Sequence, residues 1–371
     1  MANAIIDKNA SRPGKANYAD GKPGLDPVWS SGAKTIVGTA ACEQSRVWYT
    51  VGNGVLNEIY FPDIDQANTR SVRFLVSDGE QFFSDEEWDA EHRVEWLEEG
   101  APACRIRSRC RSGRYILEKE IFSHPVRNVL IVRARFCPSI GESALKLYLV
   151  VEPHICGQGG ENEGWISQYK GEPMMFAQRD RTCMAVALAP PILHATCGYA
   201  GKSDGYASLS MHRPLPESNT APCGNVALTA EVNYAPTEGV FAACIGFGSN
   251  PAEAAQQARA GTIEDLDKAC SLFKQQWKQK QEEYDDIADI SEHALNIYRV
   301  STAVLETHQS KRFAGGFIAS LSTPWGFDRS DGDGGYHVLW PRDMVETAMG
   351  KLACGDARAA RATLFYLACT Q

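Results

Sequence analysis

The sequence predicts a β-then-α chain: an all-β sandwich followed by helices. Strict period-two alternation in the first part points to strands facing a core on one side and water on the other. Turn-forming residues fall between those runs, with no helical stretch among them. Near residue 250 the period changes to that of helices.

Taken in order, residues 1–27 are polar and rich in Gly, Pro, Asn and Lys, with no apolar segment of the kind that directs export. Strands are expected at 47–51, 57–61, 72–76, 104–110, 115–123, 128–136, 145–151, 184–188, 226–232 and 240–246. In 104–110 the row Arg105, Arg107 and Arg109 should face water while Ile106 faces a core, and Leu145, Leu147, Leu149 and Val151 repeat the same period. Asp78-Gly79, Ser112-Gly113 and Pro138 supply turns.

Asn250-Pro-Ala-Glu253 reads as an N-cap, a proline at the first helical position and a capping glutamate. Residues 264–284 carry Leu266, Cys270, Phe273 and Trp277 on one stripe. Asp289-Ile-Ser-Glu292 is a second capping box, followed by Leu295, Tyr298, Thr302 and Leu305 at helical spacing. A loop rich in Gly, Asp and Ser covers 310–336. Helices are expected over 343–354 and 356–369, with Gly355 as the stop between them. The last helix has no closing cap or partner, so the chain is expected to stop inside a domain.

Composition bounds the function. The 371 residues suffice for two or three domains, and 44% hydrophobic with 22% charged residues is ordinary for a globular protein. A net charge of -9 argues against nucleic acid or an anionic membrane as partner, and no apolar run is long enough to span a bilayer. The 12 cysteines include no CxxC pair, and a chain without an export signal is expected to be cytoplasmic, its thiols acting as small hydrophobes.

The chemistry concentrates in Gly334-Gly-Tyr-His-Val-Leu-Trp-Pro-Arg-Asp343. Arg342 offers a planar donor fork and Asp343 a two-oxygen acceptor, a pair suited to adjacent sugar hydroxyls. Tyr336 and Trp340 offer aromatic faces for the C–H side of a pyranose. Asp343-Met-Val-Glu346 is equally a capping box with its acid favoured by the helix dipole, and Trp340 equally a core residue. On residue types alone both readings stand. Asp328-Arg-Ser-Asp331-Gly-Asp333 has the oxygens of a calcium loop but no later bidentate glutamate, and reads as a solvated loop with no metal. The arginine row and residues 274–280 read as solvated faces.

Phe313-Ala-Gly-Gly-Phe-Ile-Ala-Ser-Leu-Ser-Thr-Pro-Trp325-Gly326, with Gly335 to Asp343 after it, resembles the start of the catalytic domain of prokaryotic glucoamylases and glucodextranases. Gly52-Asn-Gly-Val-Leu-Asn-Glu-Ile-Tyr-Phe-Pro62 and Phe74-Leu-Val-Ser-Asp-Gly79 resemble that family's N-terminal β domain. The resemblance implies an N-terminal arm (1–30), a β-supersandwich (31–250), a helical linker (251–286) and the first helices of an incomplete (α/α)6 barrel (287–371). It implies exo-acting, inverting hydrolysis of α-glucosidic bonds in an α-glucan or oligosaccharide, without a cofactor. Tyr336, Trp340, Arg342 and Asp343 would hold the non-reducing glucose.

Inversion needs one carboxylic acid to protonate the leaving oxygen and a second carboxylate to activate water. The family's two glutamates lie well beyond the Arg-Asp motif. Here the 28 residues after Asp343 (344–371) contain only Glu346, so no catalytic residue is assigned and the chain alone is expected to be inactive. Three alternatives remain: a glucan-binding or structural sandwich, a trehalose-cleaving relative, or a disaccharide phosphorylase. A binding sandwich calls for ligand-facing aromatics, and Trp48, Tyr60 and Phe61 are too scattered to supply them.

Overall fold

The structure, a computed structural model, describes residues 12–234, 238–285, 291–322 and 337–370. In chain order the elements begin with β1 (Ile36–Thr39), β2 (Trp48–Gly52), β3 (Val55–Tyr60), β4 (Thr69–Ser77) and β5 (Phe83–Asp85). The short α1 (Glu86–Asp89) leads to β6 (Ala90–Glu98), β7 (Ala101–Cys110), β8 (Tyr115–Ser123), β9 (Val129–Pro138) and β10 (Lys146–Pro153). Then come β11 (Asn162–Tyr169), β12 (Glu172–Arg179), β13 (Thr182–Ala189), β14 (His194–Tyr199), α2 (Gly205–Leu209), β15 (Thr220–Gly224), β16 (Val226–Glu231) and β17 (Val240–Gly248). The helices α3 (Pro251–Ile263), α4 (Leu266–Gln281), α5 (Glu292–Thr307), α6 (Pro341–Ala353) and α7 (Ala357–Cys369) follow.

The strands form two antiparallel sheets. One has eight strands in the order β1-β2-β3-β4-β10-β16-β14 with β5 beside β4; the other has nine, β15-β11-β12-β13-β17-β9-β8-β7-β6. Their facing sides share one core, in which Val51, Phe74, Leu147 and Leu149 of the first sheet meet Leu117, Val132, Val186 and Ile245 of the second. This is the expected sandwich.

Local sequence explains the layers. In β7 the arginines at 105, 107 and 109 are exposed while Ile106, Ser108 and Cys110 are buried, and Arg105 pairs with Glu120 across the sheet at 2.7 Å. Strand β10 buries both faces, because Tyr148 and Val150 pack under Leu209 of α2. Trp48, Tyr60 and Phe61 are all buried, so none of them presents an aromatic face to a ligand. Seven of the cysteines are buried, as small hydrophobes would be.

Helices α3 and α4 lie on the far side of the second sheet. Ala254, Ala255 and Ala258 meet Trp165, Phe176 and Ala185. At Gly246 a Cβ would come within 2.3 Å of the Ala258 nitrogen, so only glycine lets α3 approach this closely. The expected stripe of α4 is buried, with Phe273 and Trp277 against Phe122 and Ile131, and the Trp277 indole donating to the Thr39 carbonyl at 3.1 Å. No described helix is long and apolar enough to cross a membrane.

Two helix starts differ from expectation. Ser291 caps α5, accepting from the Ala294 N–H at 3.3 Å, while Asp289 lies outside the described residues. Helix α6 begins at Pro341, two residues before Asp343. Proline has no N–H to satisfy and a φ already suited to the first helical position, so the helix starts there.

Candidate functional site

The site region is assembled where the segment 308–322 lies between the sandwich and the helices. Its first half is a tight loop: Gln309 bridges Phe317, and the Ser310 N–H donates to the Gly316 carbonyl at 2.8 Å. Gly315 has φ +81°, and a Cβ there would stand 2.3 Å from the Ala362 carbonyl carbon of α7. The loop therefore rests directly on the α7 backbone.

The other side of the segment is fastened to the first sheet. Ile318 and Leu321 join a buried cluster with Trp29, Trp48, Tyr60 and Ile64. The Tyr60 hydroxyl donates to the Leu321 carbonyl at 3.0 Å, and the Ser322 hydroxyl to the Gly32 carbonyl at 2.6 Å. Two sequence motifs read separately, 52–62 and the described part of the second, 313–322, thus meet at one seam.

The chain reaches α6 through a turn at 337–338. The Ala319 N–H donates to the Val338 carbonyl at 3.2 Å, setting residues 337–340 beside the segment, and Trp340 is extended at φ -111°, ψ 123° as the N-cap of α6. The N-cap is Trp340 and not Asp343, so the capping-box reading of Asp343-Met-Val-Glu346 is overturned. Asp343 occupies the first turn, where the dipole favours its charge.

Trp340, Arg342 and Asp343 therefore stand together on the N-terminal turn. Trp340 is 46% exposed, and the side chains of Arg342 and Asp343 are 78% and 28% exposed. An Arg342 Nη2 lies 3.9 Å from Asp343 Oδ2, too far for a hydrogen bond, and that buried oxygen has no hydrogen-bond partner among the described residues. An exposed donor fork only loosely paired with an unfilled acceptor can take two neighbouring hydroxyls. Tyr336 and the acidic loop 328–335 lie outside the described residues. Among the described residues no three His, Cys, Asp or Glu side chains cluster as metal ligands. Glu346 is exposed on α6.

Sequence reasoning missed the lysine that fastens this region, Lys311, whose role comes from burial and not from any local pattern. Lys351 is a second such case. It is fully buried between α4, α5 and α6, where it pairs with Glu306 and donates to the Tyr284 hydroxyl oxygen at 2.9 Å.

Comparison with known proteins agrees with this architecture. Residues 19–282, more than half of the chain, match the family described as glucodextranase, domain N. The chain is similar to a glucoamylase of Clostridium sp. (strain G0005), at 32% identity over 349 residues, covering 93% of this chain and 49% of that protein. It also superimposes on the crystal structure of a bacterial glucoamylase complexed with acarbose, with a TM-score of 0.91 and 32% identity over 96% of this chain and 52% of the other. The chain spans about half the length of both relatives. A sandwich of this topology, followed by these helices and matched along nearly its whole length, belongs to the glucoamylase and glucodextranase family.

Proposed function

We propose that this chain is part of an exo-acting glucosidase that hydrolyses α-glucosidic bonds from non-reducing ends with inversion. Its substrate is an α-glucan or oligosaccharide. Trp340, Arg342 and Asp343, with Tyr336, bind the terminal glucose, and α5 to α7 open an (α/α)6 barrel after an arm (1–30), a sandwich (31–250) and a linker (251–286). The observation that carries this reading is the Arg342–Asp343 pair on the exposed first turn of α6, with an acceptor oxygen that nothing in the described protein fills. The apolar row Val345, Met349 and Leu352 on α6, exposed together with Leu364 and Phe365 of α7, supports the barrel: such a stripe is what further helices would cover.

The acid and base of the reaction are not assigned within these 371 residues, and the chain alone should release no glucose. Reading the coding DNA past codon 371 tests the proposal. It requires an in-frame continuation with two widely separated glutamates in helical context; a stop codon at that point would reduce the hydrolase assignment to ancestry.

A further inference from the structure

The chain carries a second cleft, of about 510 Å³, between the N-terminal arm, the β2–β3 turn and α1. Its size lies within the roughly 300–1,000 Å³ of small-ligand sites. None of its lining residues belongs to α6 or to the segment before it.

The lining has a definite chemical character. Trp88 on α1 is 57% exposed and gives the cleft an open aromatic face. Trp29 is buried in its wall, and the indole N–H of Trp29 and the Nε–H of Arg70 both lack an acceptor among the described residues. Both donors are sealed from solvent behind the wall; the polar groups open to the cleft are those of Ser31, Thr35, Asn53 and Glu87. The two guanidiniums of Arg70 and Arg73 are met by the two carboxylates of Glu152 and Asp85, so this wall exerts no net pull on anions. Glu87 adds a carboxylate to the same lining, which further disfavours an anionic ligand. The parts are also held in place: the Asn53 amide donates to the Glu87 carbonyl at 3.1 Å, tying the β2–β3 turn to α1. Trp29 belongs to the cluster that contains Ile318 and Leu321, so the cleft is anchored to the seam between sandwich and helices.

An open indole beside the hydroxyls of Ser31 and Thr35, the Asn53 amide and the Glu87 carboxylate, with the nearby arginines paired, fits a neutral ring that has one C–H face and several hydroxyls. We propose that this cleft binds one glycosyl unit of an α-glucan, at a position separate from Arg342 and Asp343. The proposal rests on the reading of an α-glucan as partner but not on the roles given to those two residues.

Calorimetric titration of the 371-residue chain with maltoheptaose tests it, using Trp88→Ala, Trp88→Phe and Arg342→Ala, each checked for an unchanged thermal transition. The expected result is that Trp88→Ala weakens binding by roughly tenfold or more, while Trp88→Phe keeps most of it. Arg342→Ala should leave the Trp88-dependent event in place. Binding that Trp88→Ala leaves within about twofold, or no binding up to about 10 mM sugar, overturns the proposal. Loss in Arg342→Ala alone would overturn it while supporting the assignment at α6, so the two readings fail separately.

Discussion

The Lys311 ammonium lies 4.8 Å from the centre of the Trp48 ring and donates to Thr39 Oγ1 at 2.7 Å and the Ser45 carbonyl at 2.5 Å. One side chain thereby ties the segment 308–322 to the first two strands. Part of the residue remains accessible, but the ammonium itself is enclosed by these groups.

That enclosure has a pH signature. Removal from water pushes the Lys311 pKa down to about 7, below the roughly 10.4 of a lysine in an unfolded chain. Between those values the unfolded state holds more protons than the folded one. The docking is therefore progressively weakened as pH falls from about 10 to about 7, with no further loss below that. Melting curves at pH 7, 8 and 9 should show the native chain gaining on Lys311→Met as pH rises. Parallel curves for the two would show that Lys311 stays charged throughout.

A second buried lysine makes a different prediction. Lys351 pairs with Glu306 and stands 3.6 Å from Asp356, so it joins α5, α6 and the cap of α7. Burial raises the Glu306 carboxyl, but Lys351 and Lys280 outweigh it and hold the pKa below its usual value. Glu306 thus adds stability that is present above the ordinary carboxylate pKa and is lost as pH falls through the lower folded value. Lys351→Met should cost about 2 kcal/mol in urea denaturation, because it removes the buried one of two cations on Glu306 and leaves Lys280 alone to hold it. Adding Glu306→Leu should recover much of that. A loss below about 0.5 kcal/mol in the single variant would mean that water screens the pair.

How much of this was legible in the sequence follows the range of each interaction. Strand β8 coincides with residues 115–123, and β7 shows its alternation directly, since both have one wet and one dry face. Strands β11, β12 and β14 escaped, because their burial depends on which neighbours cover each face and not on a local period. Strand β6 escaped for the opposite reason: it is an edge strand with charged side chains along its exposed positions. At the site, Trp340, Arg342 and Asp343 were visible as a motif. Lys311 and Trp88 were not, because an isolated lysine or tryptophan acquires a role only when distant segments enclose or expose it.

Gly315 offers a steric test of how the loop 309–317 is seated. Its φ of +81° suits glycine, and a methyl group would collide with the Ala362–Thr363 backbone. Gly315→Ala should lower stability by about 2 kcal/mol through strain and displacement from α7. Hydrogen exchange should quicken at the Ser310 and Gly316 amides, which close the loop. Unchanged protection at both would mean that α7 yields instead.

Asp343 separates a binding role from a structural one. Its Oδ2 makes no hydrogen bond among the described residues and it is not the N-cap of α6, so its contribution to folding is the helix dipole and a loose pair with the exposed Arg342. Asp343→Asn should then cost no more than about 0.3–1 kcal/mol of stability. If the proposed glucose-binding role holds, it should also weaken binding of an α-glucosidic oligosaccharide such as maltoheptaose or acarbose by roughly tenfold or more, because the amide replaces one charged acceptor oxygen with an NH2 donor. Arg342→Ala should do the same with almost no change in melting temperature, its side chain being 78% exposed. If Asp343→Asn instead lowers the melting temperature sharply and leaves acarbose binding as it was, the residue belongs to the architecture of α6 and the subsite lies elsewhere.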